Sequence, residues 1–127
     1  MPKPPRPPPA EHTTTAKGRV GEDRAVLALE KAGYQIVGRN VRVGRNELDI
    51  VAHDGTYLVF VEVRKRERIE DAMFSIDGKK QAAVIRAATA YLARLAQTQQ
   101  VPFCRFDVVV LDAFRVEILK NAFEARY

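Results

Sequence analysis

Apolar side chains recur along this chain at two spacings, and the change from one to the other predicts where helices give way to strands. Residues 17–32 follow the 3.6-residue period of an amphipathic helix, and Gly33 comes directly after it as a termination signal. A second helical pattern covers residues 79–97. Segments rich in β-branched residues, separated by turn residues, predict strands at 34–43, 47–53, 57–63, 105–112 and 114–119.

This order of elements, αβββαβ with one further strand on the C-terminal side, predicts an α/β fold in which helices flank a mixed central sheet. Segment 57–63 is apolar almost throughout, as in a central strand that is buried on both faces. The Asp-Gly pair at 54–55 predicts a tight hairpin that makes strands 47–53 and 57–63 antiparallel neighbours. We also expect Phe114, in the last predicted strand, to pack in the core.

The composition fits one folded domain without a membrane segment. A length of 127 residues suits a single domain, and 46% hydrophobic with 29% charged residues is typical of a globular chain. Residues 1–16 contain six of the seven prolines and predict a disordered leader, so the domain is expected at 17–127. No apolar run reaches bilayer length, no signal-peptide pattern is visible, and Cys104 is the only cysteine, which together predict a cytoplasmic protein.

A formal net charge of +5 favours an anionic partner, and we expect nucleic acid, above all DNA. The basic residues occur in three clusters along the folded part of the chain. The candidate nucleic-acid-binding residues are Arg42, Arg45, Arg66, Lys79 and Lys80. Taken singly, each is more typical of a solvated surface. Two lysines at the start of a helix oppose its dipole, and a phosphate bound at that helix end would offset the repulsion.

Two acidic residues stand inside apolar strand segments, where an unpaired carboxylate is strongly destabilising. Asp49 lies within Leu-Asp-Ile-Val and Glu62 within Val-Phe-Val-Glu-Val. An ion pair or a metal would stabilise them, and Mg²⁺ or Mn²⁺ suits carboxylate ligands. A turn centred on residues 54–55 would place Asp49 opposite residues 58–60. Only a bend or bulge in its strand would then bring Asp49 and Glu62 onto one ion.

Arg64 follows Glu62 by two residues, so strand alternation places both side chains on one face. A cation there could hold an attacking water or stabilise charge on a reacting phosphate. The same residues also permit a structural interpretation, in which the two strand acids pair with arginines such as Arg39. Glu22, in the first predicted helix, is equally consistent with a solvated acid favoured by the helix dipole. Asp107, inside an apolar strand, is expected to have a structural hydrogen-bonding role.

Several short motifs occur in a fixed order over about residues 17–111. They are Gly-Glu at 21–22, Asn-Glu-Leu-Asp-Ile-Val at 46–51, Val-Phe-Val-Glu-Val-Arg-Lys-Arg at 59–66, Lys-Lys at 79–80 and Arg-Phe-Asp-Val-Val at 105–109. In this order they resemble the YraN-like family of uncharacterised bacterial proteins, UPF0102, which is related to archaeal Holliday-junction resolvases and the PD-(D/E)xK nucleases. The resemblance implies a restriction-endonuclease-like core, Mg²⁺-dependent cleavage of DNA phosphodiesters, and a homodimer that acts on branched or double-stranded DNA.

Carried over by position, the resemblance implies that Asp49 and Glu62 bind the metal and that Glu22 is the acid of the first helix. Arg64 stands where the superfamily has a lysine, and arginine keeps its charge and cannot act as a general base. Three hypotheses therefore stay open. They are a nuclease with catalytic Glu22, Asp49, Glu62 and Arg64, a nucleic-acid-binding module of the same fold with weak or no catalysis, and an interaction protein in DNA processing.

Overall fold

In a computed structural model, which describes residues 16–125, a five-stranded sheet carries helices on both faces. The elements are α1 (Ala16–Lys31), β1 (Gln35–Val43), β2 (Asn46–Asp54), β3 (Tyr57–Lys65), α2 (Ile69–Phe74), α3 (Gly78–Leu95), β4 (Cys104–Leu111) and β5 (Val116–Phe123). The short helix α2 occupies a segment expected to be a loop. The proposed leader lies outside the described residues, except for Ala16, where α1 begins. Within 16–125, no helix is long and apolar enough to cross a bilayer.

The strands are arranged in chain order from β1 to β5, with β3 in the centre. Only β3 and β4 pair in parallel, and α2 and α3 form the crossover between them. The other neighbouring strands are antiparallel, so the mixed sheet predicted from the sequence is confirmed. This αβββαβ order with a C-terminal strand is that of a restriction-endonuclease-like core.

Each face of the sheet packs against its own helix. Phe60 belongs to the apolar cluster under α3, together with Val84. Val59 and Val61 belong to the cluster under α1, together with Leu29. The alternation predicted for β3 is therefore confirmed, and Glu62 and Arg64 extend from the face that packs on α3.

Phe114 does not pack in the core, and this prediction was wrong. Its side chain is 93% exposed in the turn between β4 and β5. The carboxylate of Asp112 accepts hydrogen bonds from the backbone N–H groups of Phe114 at 2.8 Å and Arg115 at 2.7 Å. That local bonding forms a turn, so the last strand begins only at Val116.

The hairpin between β2 and β3 turns one residue later than predicted. Asp54 pairs with Tyr57, which leaves Gly55 and Thr56 as the loop, and Gly55 has a φ of 61°. A turn displaced by one residue shifts every cross-strand partner by two residues. Continuing the observed register places Asp49 across from Glu62, so the prediction that Asp49 lies opposite residues 58–60 was wrong.

Strand β2 bends at Asp49. Regular alternation would place Leu48 and Ile50 on one face, but Leu48 packs in the cluster under α3 and Ile50 in the cluster under α1. The β2–β3 ladder ends at the pair formed by Ile50 and Val61. In the neighbouring strand, Asn40 occupies the register position opposite Asp49 and has a φ of 50°. A bend is therefore present at Asp49, although the observed register by itself already places this residue across from Glu62.

Candidate metal and phosphate site

The two strand acids meet where the ladder between β2 and β3 ends. Oδ2 of Asp49 accepts a hydrogen bond of 2.9 Å from the backbone N–H of Val63. The carboxylate thus occupies a place that a backbone carbonyl would take in a continuing ladder. Glu62, the neighbour of Val63 in the chain, is buried and lies across from Asp49. The structure therefore brings together the two residues predicted to bind a metal.

These carboxylates repel each other. Burial, and after it the negative charge of Glu62, raise the pKa of Asp49 to about 7, although the bond from Val63 and the charge of Lys80 oppose the rise. Two like charges in a partly dehydrated site favour retention of a proton by one of them. A bound cation would stabilise the doubly ionised form in its place.

Two cationic side chains lie beside Glu62. Nζ of Lys80, from the first turn of α3, is 3.2 Å from Oε1 of Glu62, and Nη2 of Arg64 is 3.7 Å from the same oxygen. The structural interpretation of the acids therefore holds in part for Glu62. It does not hold for Asp49, which forms no salt bridge with any residue in the range 16–125.

Glu22 is a buried residue of α1 and not a solvated helix acid. Its Oε2 accepts a hydrogen bond of 3.0 Å from Nδ2 of Asn40 and lies 3.8 Å from Nη2 of Arg39. Burial raises the pKa of Glu22, the bond from Asn40 opposes this, and the charges of Asp49 and Glu47 raise it further. The charge of Asp49 thus contributes to the raised pKa of Glu22, which places Glu22 close to the acid pair.

Asn40 was not anticipated as part of this site. Its Oδ1 is buried without a hydrogen-bond partner among the described residues, while its Nδ2 binds Glu22. The sequence did carry a signal, because asparagine is enriched among residues with positive φ. An Asn in the middle of a strand pattern is therefore a candidate for a local break in that strand.

The five predicted nucleic-acid-binding residues separate into two groups. Arg42, Arg45, Arg66 and Lys79 are exposed, and none forms a salt bridge with a residue of the described part. Lys80 is instead half-buried and directed to Glu62. At the same helix end, the carboxylate of Asp77 accepts a bond of 2.9 Å from the backbone N–H of Lys80. One N–H group that a phosphate could have used is thus already bound, and the phosphate site there stays a prediction.

The donor set suits a hard divalent cation with few protein ligands. In the part of the chain that the structure describes, no group of three or more His, Cys, Asp or Glu residues is arranged to hold a metal. Asp49 and Glu62 offer a pair of carboxylates, and Mg²⁺ commonly takes one or two carboxylates and completes its coordination with water and phosphate oxygens. The pair therefore has the donor chemistry that Mg²⁺ or Mn²⁺ prefers.

Comparisons with known proteins place this chain in a family. The model of the uncharacterised protein family UPF0102 matches residues 21–111, which include both strand acids and both cations beside them. A UPF0102 protein of Dechloromonas aromatica (strain RCB) is 42% identical over 118 residues, covering 91% of this chain and 95% of that protein. One of Ralstonia pickettii (strain 12J) is 43% identical, covering 87% and 91%. One of Cupriavidus pinatubonensis is 47% identical, covering 88% of each. The chain therefore belongs to the UPF0102 family.

Proposed function

We propose that this protein is a Mg²⁺- or Mn²⁺-dependent nuclease that hydrolyses DNA phosphodiesters, with Asp49 and Glu62 as the metal ligands. The observation that carries the proposal is the meeting of these two carboxylates at the bend of β2, with the pKa of Asp49 raised to about 7. A structural ion pair joins opposite charges, whereas Asp49 has no salt-bridge partner among the described residues and faces the like charge of Glu62, which destabilises the metal-free fold. Functional sites are where such shifted carboxylates cluster.

Other side chains have positions that suit the same reaction. A divalent ion held by the two acids would polarise a phosphodiester and neutralise charge on the leaving oxygen. Glu22, whose pKa is raised by burial, is proposed to accept a proton from the attacking water. The guanidinium of Arg64 is proposed to stabilise negative charge on the reacting phosphate.

The proposed partner is DNA, bound along its backbone by the exposed basic residues. Arg42, Arg45, Arg66 and Lys79 are all exposed, as residues that neutralise phosphates must be. A homodimer acting in the cytoplasm would present two copies of the site and would suit cleavage of both strands of a symmetric or branched substrate.

Replacing Arg66 with alanine is expected to weaken duplex binding by about three- to tenfold. The dependence of log affinity on log salt should become less steep, by about 0.9 in slope for each phosphate that is no longer neutralised. Fluorescence anisotropy over a salt series measures both quantities. Arg94→Ala, at the last turn of α3, is the control because it removes an exposed arginine far along the helix from Lys79. Equal effects of the two substitutions would contradict a localised DNA surface.

The nuclease proposal is tested with the full chain on duplex, single-stranded and four-way-junction DNA, with Mg²⁺ or Mn²⁺ and with a chelator. Cleavage of at least one substrate that requires the divalent ion supports it, as does calorimetric binding of Mn²⁺ without DNA. Absence of cleavage on every substrate overturns it. Salt-sensitive DNA binding without hydrolysis would then identify the chain as a binding module of the same fold.

A further inference from the structure

Lys80 reaches the acid pair from a different element than the strands that carry it. Its backbone lies in the first turn of α3, and its Nζ is 3.2 Å from Oε1 of Glu62. A lysine at this end of a helix is opposed by the helix dipole, so helix stability does not account for it. Lys79, its neighbour in the same turn, is exposed and forms no salt bridge with a residue of the described range. Within this turn, the contact with Glu62 is therefore specific to Lys80.

Arg64 contacts Glu62 less closely, although it stands two residues beyond it on the same strand. The nearest nitrogen of Arg64 is 3.7 Å from the carboxylate, and its Nε is buried without a hydrogen-bond partner among the described residues. A guanidinium in contact with a carboxylate normally donates through two of its nitrogens. Lys80 therefore makes the shorter contact with Glu62 and the stronger electrostatic attraction to it.

The charges around Glu62 explain how a metal and a phosphate would depend on each other. When both acids are ionised, as they would be with a bound cation, Asp49 and Glu62 supply two negative charges, and Lys80 and Arg64 supply two positive ones. A divalent ion held by the acids would be repelled by the positive charges of Lys80 and Arg64. An anionic phosphodiester in contact with Lys80 would neutralise its charge and so reduce this repulsion. Divalent ion and DNA should therefore each strengthen the binding of the other.

We propose that Lys80 binds the phosphodiester to be cut, beside the metal ion held by Asp49 and Glu62. The inference rests on the proposed function, because it assigns a substrate contact at the same site. It also makes Lys80 the residue that links metal binding to DNA binding. Arg64 then has the supporting role of a second positive charge on the strand.

The test compares Lys80→Met with Lys31→Met, which removes the same charge from an exposed lysine in the last turn of α1, on the other face of the sheet. Without DNA, Lys80→Met is expected to bind Mn²⁺ about fivefold more tightly than the wild type, because a like charge has left the site. Addition of an uncleavable phosphorothioate duplex should tighten Mn²⁺ binding at least about tenfold in the wild type and Lys31→Met, but less than about threefold in Lys80→Met. Cleavage with Mg²⁺ should fall about 100- to 1,000-fold in Lys80→Met alone. Lys80→Arg, which keeps the charge, should retain the linkage.

Several results would overturn this role for Lys80. Cleavage by Lys80→Met at the wild-type rate is one, and weaker Mn²⁺ binding without DNA is another, since a merely structural lysine would lower metal affinity when removed. If Lys80→Met fails to fold, loss of the linkage in a folded Lys80→Gln is the equivalent evidence. If the wild type cuts no DNA, the nuclease proposal fails by itself. The Mn²⁺–DNA linkage still tests Lys80, and its absence from the wild type overturns the inference.

Discussion

Asparagine in place of Asp49 is expected to abolish metal-dependent DNA cleavage and at the same time to stabilise the metal-free protein at neutral pH. Cleavage should fall by about 1,000-fold or more, equivalent to about 4 kcal/mol of transition-state stabilisation, because the neutral amide no longer supplies a charged ligand. The local fold should persist, since the amide oxygen can still accept the hydrogen bond from the N–H of Val63. Few other substitutions in the chain should separate activity from stability so clearly.

The stability gain follows from the direction of the pKa shift. The pKa of Asp49 is raised to about 7 in the folded chain, above its ordinary value of 3.8. Between these two pH values, the unfolded chain has lost this proton while the folded chain still holds it, so the wild type loses stability as the pH rises. Above about pH 7 the loss is complete and constant. Asparagine has no titratable group at this position. The free energy of unfolding of Asp49→Asn should therefore exceed that of the wild type by about 1 to 3 kcal/mol at pH 8 and by almost nothing at pH 4.

Urea unfolding at pH 4 and pH 8, in the presence of a chelator, measures this difference. Asp71→Asn is the control, because it neutralises an exposed acid of the short helix α2. It should change neither the pH dependence nor the Mn²⁺ affinity. Wild-type Mn²⁺ affinity in Asp49→Asn, or a stability below that of the wild type at pH 8, would count against a metal site at the bend.

The face of each residue in the central strand could be predicted from the sequence, whereas the pairing of that strand could not. Alternation in β3 depends only on backbone geometry, and it correctly put Glu62 and Arg64 on one side. Register depends on which residues form the turn. Asp54 and Gly55 form a strong turn signal, but Asp54 remains in the ladder and the loop is one residue later. This small error separated two acids that in fact lie across from each other.

Contacts between distant elements were the least predictable part of the site. Lys80 meets Glu62 only because α3 packs over the sheet with its first turn at the bend, and no local pattern encodes that position. The short helix before α3 was missed for a related reason. Its buried residues Ile69 and Ala72 give a single apolar repeat in six residues, which is too few to establish a helical period.

Asp107, which is fully buried, has the same kind of neighbour as Asp49 and the opposite electrostatics. Asp107 of β4 lies at a register shift between β4 and β5, opposite an edge strand in which Asn121 has a φ of 52°. Oδ1 of Asp107 accepts a bond of 2.9 Å from the backbone N–H of Asn121. As at Asp49, an aspartate side chain replaces a ladder bond beside an asparagine with positive φ. The same arrangement, in which an aspartate carboxylate accepts a backbone N–H bond where strand pairing is interrupted, therefore occurs at both Asp49 and Asp107.

What surrounds Asp107 differs from what surrounds Asp49. Its other bonds come from the hydroxyl of Tyr34 at 2.6 Å and from Nε and Nη2 of Arg105 at 2.8 and 2.9 Å, and Arg105 also donates to Asp54 at 2.6 Å. These bonds raise the pKa of Arg105 and lower that of Asp54. A buried carboxylate with four donors and an opposite charge is fully satisfied without a ligand. The structural role predicted for Asp107 is therefore confirmed.

Replacing Asp107 with alanine is thus expected to lower the free energy of unfolding by about 3 to 5 kcal/mol, because Arg105 and the hydroxyl of Tyr34 would lose their buried partner. Glu117→Ala, which removes an exposed acid of β5, should cost less than about 1 kcal/mol in the same urea titration. Asp107→Ala and Asp49→Asn should therefore have opposite signs at pH 8, although both remove an aspartate from an apolar strand. A decrease in the free energy of unfolding of less than about 1 kcal/mol for Asp107→Ala would contradict the structural role of its hydrogen bonds. Loss of Mn²⁺ affinity in a folded Asp107→Ala would indicate that the metal binds near Asp107 and would contradict a metal site at Asp49 and Glu62.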